Sequence, residues 1–444
     1  ALTMLGLGDA FGDADIPRLV LNVVHPLVAG EIERFCAGKS AVLVIEEGNP
    51  EFIEHQINTI LRKADLQTRV HGKDCLPMAG EYRTEVLLDG LARFLDAAAP
   101  AGIDAEAASA TAATILDHRA RGAEAIGDGL PMRPPTFCTG CPERPVFSAL
   151  KLVQREDDIG ELHISADIGC HSFAALPPFG IGNTIVGYGL GLSSTAGVAP
   201  ALGKRTISIM GDGGFWHNGL TTGVGSAVFN KDDSILVVMK NGYSSATGWQ
   251  YLPSSTQDRR GRDPGMSIEA AIRGLGVRWM KTVRTYDIAK MVKTLRRAMT
   301  TAETGLKVII AEGECMLALQ RRKRPETARK IAAGKRVVRT RFGIDDEVCT
   351  GDRACIRLSG CPSITIKPSP DPLRTDPVAQ IADDCVGCGV CGEVAPAAVL
   401  CPSFYHAAIV PHPPWLPRTP PPLRPRVTRP PPALPVAHPP RPPP

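Results

Sequence analysis

At 444 residues, with 43% hydrophobic and 22% charged side chains, the chain is long enough for two or three domains with cores of their own. A net charge of +4 with no basic stripe interleaved with aromatics gives no case for nucleic-acid binding, so small-molecule and protein partners are expected. The start lacks a basic segment, and no stretch is apolar over the ~18 residues of a membrane span, which predicts a soluble, cytoplasmic protein with no membrane contact; the missing initiator Met fits an excised piece of something longer.

In chain order, the apolar run 41–45 before Glu46-Glu47-Gly48-Asn49-Pro50 reads as a parallel strand leaving its sheet, and 52–61 carries helical periodicity. Residues 1–95 are therefore expected to form a small α/β domain. The segment 96–135, rich in Ala, Asp and Glu and then in Gly and Pro, reads as an exposed helix plus linker. From residue 136 to 335, apolar runs at 162–166, 206–210, 234–239 and 307–311 alternate with helical stretches, which predicts a doubly wound parallel sheet with its chemistry at the carboxyl ends of the strands. Residues 343–410 are short-patterned and punctuated by Cys and Pro, a core that needs metal to hold it. The tail 411–444 is Pro- and Arg-rich without Asp, Glu, Lys or Gly, and is expected to be disordered or polyproline-like. It reads as a linker or docking ligand, or as out-of-frame translation of a GC-rich gene.

The strongest catalytic signal is Gly211-Asp212-Gly213-Gly214-Phe215 after the strand 206–210, followed by Lys240-Asn241-Gly242-Tyr243 after the strand 234–239. Two strand ends thus present Asp212 and Asn241 together. A diphosphate needs Mg²⁺ to bridge its oxygens, and Mg²⁺ takes a carboxylate, an amide or backbone carbonyl, water and phosphate. The glycines let the backbone approach phosphates, and a helix opening after Phe215 offers its amino end. A Gly-Asp-Gly by itself is more often a turn after a buried strand; the Asn after the next strand weighs against that here. The pattern resembles that of thiamine diphosphate enzymes, which implies Asp212, the Asn241 side chain and the Tyr243 backbone carbonyl as Mg²⁺ ligands. Asp167 and Gly169, upstream, are placed among the cofactor-binding residues. His217, within a turn of the helix start, is the catalytic candidate, or simply a polar residue at the helix entrance.

Thirteen cysteines in a chain with no signal sequence have the spacings of metal ligands rather than disulfides. Cys36 and Cys75 stand apart and read as buried, inert thiols. Cys385, Cys388 and Cys391 with Cys401-Pro402 form the run of bacterial ferredoxins, and Cys349, Cys355 and Cys361-Pro362 form its upstream partner. Because the Cys-Pro of each run ligates the other cluster, Cys361, Cys385, Cys388 and Cys391 are expected to hold one [4Fe–4S] cluster; a zinc ribbon would not need the Cys-Pro pair. The second set has only Cys349, Cys355 and Cys401, with Asp352 where a fourth cysteine would stand. Asp352 is either that fourth ligand or a solvated turn residue, the site then holding a [3Fe–4S] cluster or nothing. By spacing alone, Cys138-Thr139-Gly140-Cys141 suits zinc, a redox dithiol or neither.

Taken together, residues 137–257, including Ser245-Ala246-Thr247-Gly248, and residues 348–405 resemble the indolepyruvate:ferredoxin oxidoreductase family of 2-oxoacid oxidoreductases. The first domain, with Val44-Ile45-Glu46-Glu47-Gly48, looks like the transketolase C-terminal-type domain of its alpha subunit. The resemblance implies that Cys138, Cys141, Cys170 and Cys315 match a set that binds a proximal cluster in many ketoacid oxidoreductases; free thiols lining the pocket are the alternative. It also implies thiamine-dependent oxidative decarboxylation of an aryl pyruvate, electrons leaving through clusters to ferredoxin, and acyl transfer to coenzyme A. A second, smaller subunit and a homodimer through the thiamine domains are expected likewise. In this family the Glu that activates thiamine sits on a domain preceding the small one, so it is expected from outside these 444 residues. The competing readings are a non-oxidative thiamine-dependent decarboxylase and a catalytically inactive electron-transfer subunit.

Overall fold

The computed structural model describes residues 1–410 except 10–12, 15, 101, 128–134, 157–161 and 399–400. The expectation about the tail 411–444 lies outside the described residues. The chain divides into two units, Ala1–Arg133 and Pro134–Pro444.

In the first unit, strands β1 (Ala41–Leu43) and β2 (Arg69–His71) pair in parallel, Ala41 opposite Arg69. Helices α1 (Ala29–Cys36) and α2 (Phe52–Lys63) bury Ile32, Cys36, Ile57 and Leu61 with Val42. The carboxylate of Glu46 accepts from the Ile53 and Glu54 amides, satisfying orphan donors of α2's first turn. Helices α3 (Thr84–Ala98) and α4 (Ala105–Ile126) pack on each other around Leu88, Leu95, Ala108 and Ala112. Helix α4 lies in the stretch expected to be an exposed helix plus linker, and Ala108 and Ala112 are its buried residues.

The second unit is built on a six-stranded, wholly parallel sheet: β3 (Ile164–Ala166), β4 (Thr184–Ile185), β5 (Ile207–Gly211), β6 (Ile235–Lys240), β7 (Trp279–Arg284) and β8 (Lys307–Glu312), in the order β4-β3-β5-β6-β8-β7. The central strands are buried on both faces, as expected of near-continuous apolar runs with helices on either side. Strand β7 escaped sequence reading because its middle, Met280-Lys281-Thr282, alternates toward solvent. After β5 the chain turns at once into helix, a short turn Asp212–Gly214 running into a π-helical stretch Phe215–Gly225 and then Ser226–Asn230. The helix thus opens at Asp212, not after Phe215 as the sequence suggested. Among the described residues no helix is long and apolar enough to cross a membrane.

The Cys-rich segment adds two antiparallel pairs, β9 (Arg339–Ile344) with β12 (Phe404–Ile409) and β10 (Ile364–Lys367) with β11 (Val378–Ile381). Its two helices, Ala354–Ser359 and Val390–Ala398, pack on each other and on α5 (Arg144–Glu156) of the sheet domain. Leu358, Val390 and Val394 belong to the same buried cluster as Val146, Phe147 and Leu150. The segment is thus seated on the sheet domain through a shared core.

Candidate functional site

The carboxyl ends of four strands converge: 167–171 after β3, 211–214 after β5, 241–247 after β6 and Cys315 after β8. They surround a cavity of about 190 Å³ whose walls include Gly169, Cys170, His171, Gly211, Asp212, Gly213, Gly214, Asn241 and Tyr243. This is where ligands bind in open α/β sheets.

Asp212 is fully buried; its Oδ1 accepts from the Gly213 amide at 3.0 Å and its Oδ2 from the Gly242 amide at 2.6 Å. The second bond ties the β5 end to the β6 end. Burial raises its pKa to about 7, and the charge of Glu143 adds to the rise against the pull of those amides. The Asn241 side chain donates from Nδ2 to Glu143 Oε1 at 3.0 Å, and its Oδ1 accepts from the Tyr243 amide at 3.1 Å and from Ser245 Oγ at 3.0 Å. Glu143 is itself buried, and its Oε2 has no hydrogen-bond partner; the nearest ring nitrogen, His171 Nδ1, is 3.6 Å away. Burial opposes a charge on His171, but Glu143 and Asp167 outweigh it and raise the ring's pKa.

Two buried carboxylates, one with an orphaned oxygen, joined through an amide are costly to hold without a cation. The donor set of carboxylate oxygens, an amide carbonyl and backbone carbonyls is the one a hard divalent ion takes. These residues therefore fit Mg²⁺, and the glycine backbone beside them fits a diphosphate. Gly213 and Gly214 are obligatory for a further reason. A Cβ on Gly213 would stand against the Tyr188 hydroxyl and Ser244, and one on Gly214 inside the Asp167 carboxylate. The Tyr188 and Ser244 hydroxyls are themselves bonded at 2.6 Å.

Two expected site residues are not among those lining the cavity. Asp167 lies beneath it, fully buried, with Oδ1 accepting from the Ile168 and Gly189 amides at 2.6 Å each. It braces the glycine turn rather than facing a ligand. His217 is exposed, its ring 5.1 Å from that of Tyr188, because the π-helical register carries it outward past the first turn. Conversely, sequence reading passed over Glu143, His171, Tyr188 and Ser244. Glu143 and His171 carried a usable signal, each being next to or within two residues of a cysteine already singled out; Tyr188 carried none.

The cysteines gather into three sets. Cys138, Cys141, Cys170 and Cys315 are near neighbours; burial raises Cys138, drives Cys141 well up and takes Cys170 to about 12. Of these only Cys170 lines the thiamine-side cavity. Cys361, Cys385, Cys388 and Cys391 form a second mutually interacting set, with burial and its neighbours pushing Cys391 to about 12. The third set, Cys349, Asp352, Cys355 and Cys401, lines a separate cavity of about 180 Å³, where burial lifts Cys355 to about 11. The second and third sets fit clusters by their ligand type and by the way the fold gathers thiols that are far apart in sequence. Asp352 reaches the third cavity from an exposed turn, Oδ1 accepting from the Ala354 amide at 2.7 Å and Oδ2 from Thr350 Oγ1 at 3.3 Å. Cys36 and Cys75 are buried, with burial raising both thiols.

Residues 167–311 match the thiamine pyrophosphate enzyme family, C-terminal TPP-binding domain. Over 411 residues the chain is 29% identical to indolepyruvate oxidoreductase subunit IorA of Methanothermobacter thermautotrophicus, covering 90% of this chain and 57% of that protein. The likeness to that subunit thus runs over nearly the whole of this chain. The like-named subunits of Pyrococcus abyssi, at 27% over 399 residues, and of Archaeoglobus fulgidus, at 29% over 394, align over 87% and 88% of this chain and 56% of their own lengths. The chain thus spans a little over half the length of the curated relatives it matches. Among solved structures, a 2-oxoglutarate:ferredoxin oxidoreductase from Magnetococcus marinus aligns over 41% of this chain and 65% of its own, at 19% identity and a TM-score of 0.36, too slight a likeness to bear on the argument. The sheet and its glycine turns, within residues 167–311, accordingly match a thiamine-diphosphate-binding domain.

Proposed function

We propose that this chain supplies the diphosphate half of the thiamine site and the electron relay of a 2-oxoacid:ferredoxin oxidoreductase that decarboxylates an aryl pyruvate such as indolepyruvate, passes electrons to ferredoxin and delivers the acyl group to coenzyme A. The observation that carries this reading is the coincidence, in one unit, of the buried Asp212–Asn241–Glu143 cation site with three gathered sets of thiols. A non-oxidative thiamine enzyme has no use for the thiols, and a simple ferredoxin has none for the carboxylates.

Thiamine diphosphate, when bound, supplies the carbanion that adds to the keto carbon and the sink for the electrons left when CO₂ departs. The chain's residues do the rest. Asp212 and Asn241 hold Mg²⁺ against the diphosphate, and the Gly213 and Gly214 turn lets the backbone come close to it. Glu143 fixes the Asn241 amide by accepting from Nδ2, and Oδ1, which accepts from the Tyr243 amide and Ser245 Oγ, is the atom that would exchange one of those donors for the metal. His171 and Cys170 stand on the wall where the substrate end of the cofactor would lie. Ferredoxin, coenzyme A, a smaller partner subunit and a homodimer are the assembly this reading requires.

The test is the complex purified with its natural partner subunit and assayed for ferredoxin reduction with indolepyruvate, phenylpyruvate and 2-oxoglutarate, with and without coenzyme A. Ferredoxin reduction that depends on an aryl pyruvate and on thiamine diphosphate is expected. Release of the aldehyde with no ferredoxin reduced, in a preparation replete in iron, would replace this reading with the non-oxidative one.

A further inference from the structure

Arg144 is the largest side chain with no exposed surface at all, and it lies one residue after Glu143 in the first turn of α5. Its Nη1 donates to the Ser359 carbonyl at 2.9 Å and its Nη2 to Cys388 Sγ at 3.9 Å, while Nε has no partner. Among the described residues no carboxylate forms an ion pair with it. Burying a cation costs several kcal/mol unless an anion balances it. The groups around it are the thiols of Cys361, Cys388 and Cys141 and the Tyr286 phenol. Neutral thiols do not balance a guanidinium. Four thiolates around a [4Fe–4S] core do, because that assembly is doubly negative when oxidised and triply negative when reduced.

We infer that Arg144 is the counter-ion of the cluster held by Cys361, Cys385, Cys388 and Cys391, a positioning residue that sets its reduction potential and couples it to the thiamine cavity. The coupling is a matter of distance. Glu143 faces the cavity and Arg144 faces Cys388, and adjacent Cα atoms are only about 3.8 Å apart. The turn between them and the cluster loop is tight: Gly140, at φ +72°, has room for no Cβ because Val386 fills the space, and its carbonyl accepts from the Tyr286 hydroxyl at 2.6 Å. Thr139 Oγ1 bonds Ser363 Oγ at 2.9 Å and Asp384 at 3.1 Å. With both groups bound, each electron that reduces the cluster would be one withdrawn from the cofactor-bound substrate. Arg144 exchanges no proton; its fixed positive charge and sulfur hydrogen bond favour the more negative, reduced cluster.

This inference rests on the proposed electron-relay function, and the experiment separates the two. The anaerobic complex is titrated with dithionite and each cluster followed by electron paramagnetic resonance, with no thiamine or substrate needed. In Arg144→Gln the equilibrium constant for reducing one cluster is expected to fall tenfold or more, about 60 mV for a one-electron couple, with the others unmoved. Arg144→Lys keeps the charge and should recover most of the shift. Where Arg144→Gln fails to retain that cluster, retention by Arg144→Lys with a potential near wild type supports the same role. Unchanged potentials in an iron-replete Arg144→Gln complex, or an equal drop in Arg144→Gln and Arg144→Lys, would overturn the counter-ion role alone. A wild-type complex with no iron–sulfur signal would overturn the relay itself.

Discussion

The second unit contains two cavities of nearly equal size, about 190 and 180 Å³, built in opposite ways. The first is walled by the ends of hydrogen-bonded parallel strands, over a core whose side chains have almost no exposed surface, and its polar groups are carboxylates and an amide. The second is walled by loop segments around Cys349, Cys355 and Cys401, over a small core of Ile344, Ile364, Val378 and Ala379, with Arg155, Arg353 and Arg357 at its rim. One cavity has a shape that the sheet enforces before any ligand arrives. The other has a shape that its ligand must complete.

The largest effect that sharpens this contrast is removal of the carboxylate at the β5 end. Asp212→Ala is expected to weaken Mg²⁺-dependent thiamine diphosphate binding about 100-fold or more by calorimetry, since it deletes a metal ligand outright. Iron content should be unchanged, because no cysteine set touches the Asp212 carboxylate. Loss of iron along with the cofactor would mean the two sites are not built independently. The converse is iron removal by chelation under mild oxidation. Proteolysis should then cut between residues 345 and 405 while 164–312 stays intact. An unaltered digestion pattern would show that the loop cavity is as self-supporting as the sheet cavity.

The glycine turn tests the rigidity claimed for the first cavity. In Gly214→Ala the new methyl meets the buried Asp167 carboxylate, which is pinned by two amides and cannot yield. A loss of roughly 1–3 kcal/mol in unfolding free energy is expected, the cost of overpacking a fixed site. Gly223→Ala, on the same helix, meets only ordinary contacts beside Leu192 and should move the thermal midpoint far less. Equal effects would argue against a pre-formed turn.

This contrast also decides what the sequence disclosed. Asp212 and Asn241 were legible because strand ends are fixed by apolar runs, and a residue one step past a run has only one place to be. The two ferredoxin-like cysteine sets could be grouped from spacing, whereas Cys138, Cys141, Cys170 and Cys315 were grouped only by the family resemblance. Glu143, Arg144 and His171 were not legible, since the start of α5 brings the first two to the cavity and to Cys388, and the turn after β3 brings His171, through packing that no local period reports. Nor was the seating of the Cys-rich segment on α5, where Ser148 Oγ bonds the Leu358 carbonyl at 2.7 Å across 210 residues.

A smaller effect is expected from pH. In the metal-free chain Asp212 has a raised pKa, about 7, so its contribution to stability is fully present in acid, below the unfolded carboxyl value, and is lost as pH rises through about 7. Metal uptake reverses that loss and displaces the proton. Mg²⁺ affinity should therefore rise by up to tenfold per pH unit below about 7 and level off above it. Titrations in buffers of different ionisation enthalpy would give a proton released per ion at pH 6 and almost none at pH 8; no release at either pH would show that Asp212 is already ionised.

The smallest expected effect concerns a single iron in the loop cavity. Cys349, Cys355 and Cys401 supply three thiolates there, and the residue on that wall able to complete a fourth bond is Asp352. A carboxylate oxygen is a harder donor than sulfur and holds iron less firmly. Asp352 is also exposed, with its oxygens engaged by Ala354 and Thr350 in a local turn that ligation must partly open. Both facts weaken the same corner of the cluster. Mild oxidation should therefore remove one iron from this cluster and give a [3Fe–4S] paramagnetic signal, while the cluster of Cys361, Cys385, Cys388 and Cys391, seated against α5 and Arg144, resists. Asp352→Cys should suppress the conversion by replacing oxygen with thiolate at the same turn. A signal of undiminished size in that variant would show that the labile iron is bound elsewhere, and that the two cavities differ in shape but not in the firmness of their ligands.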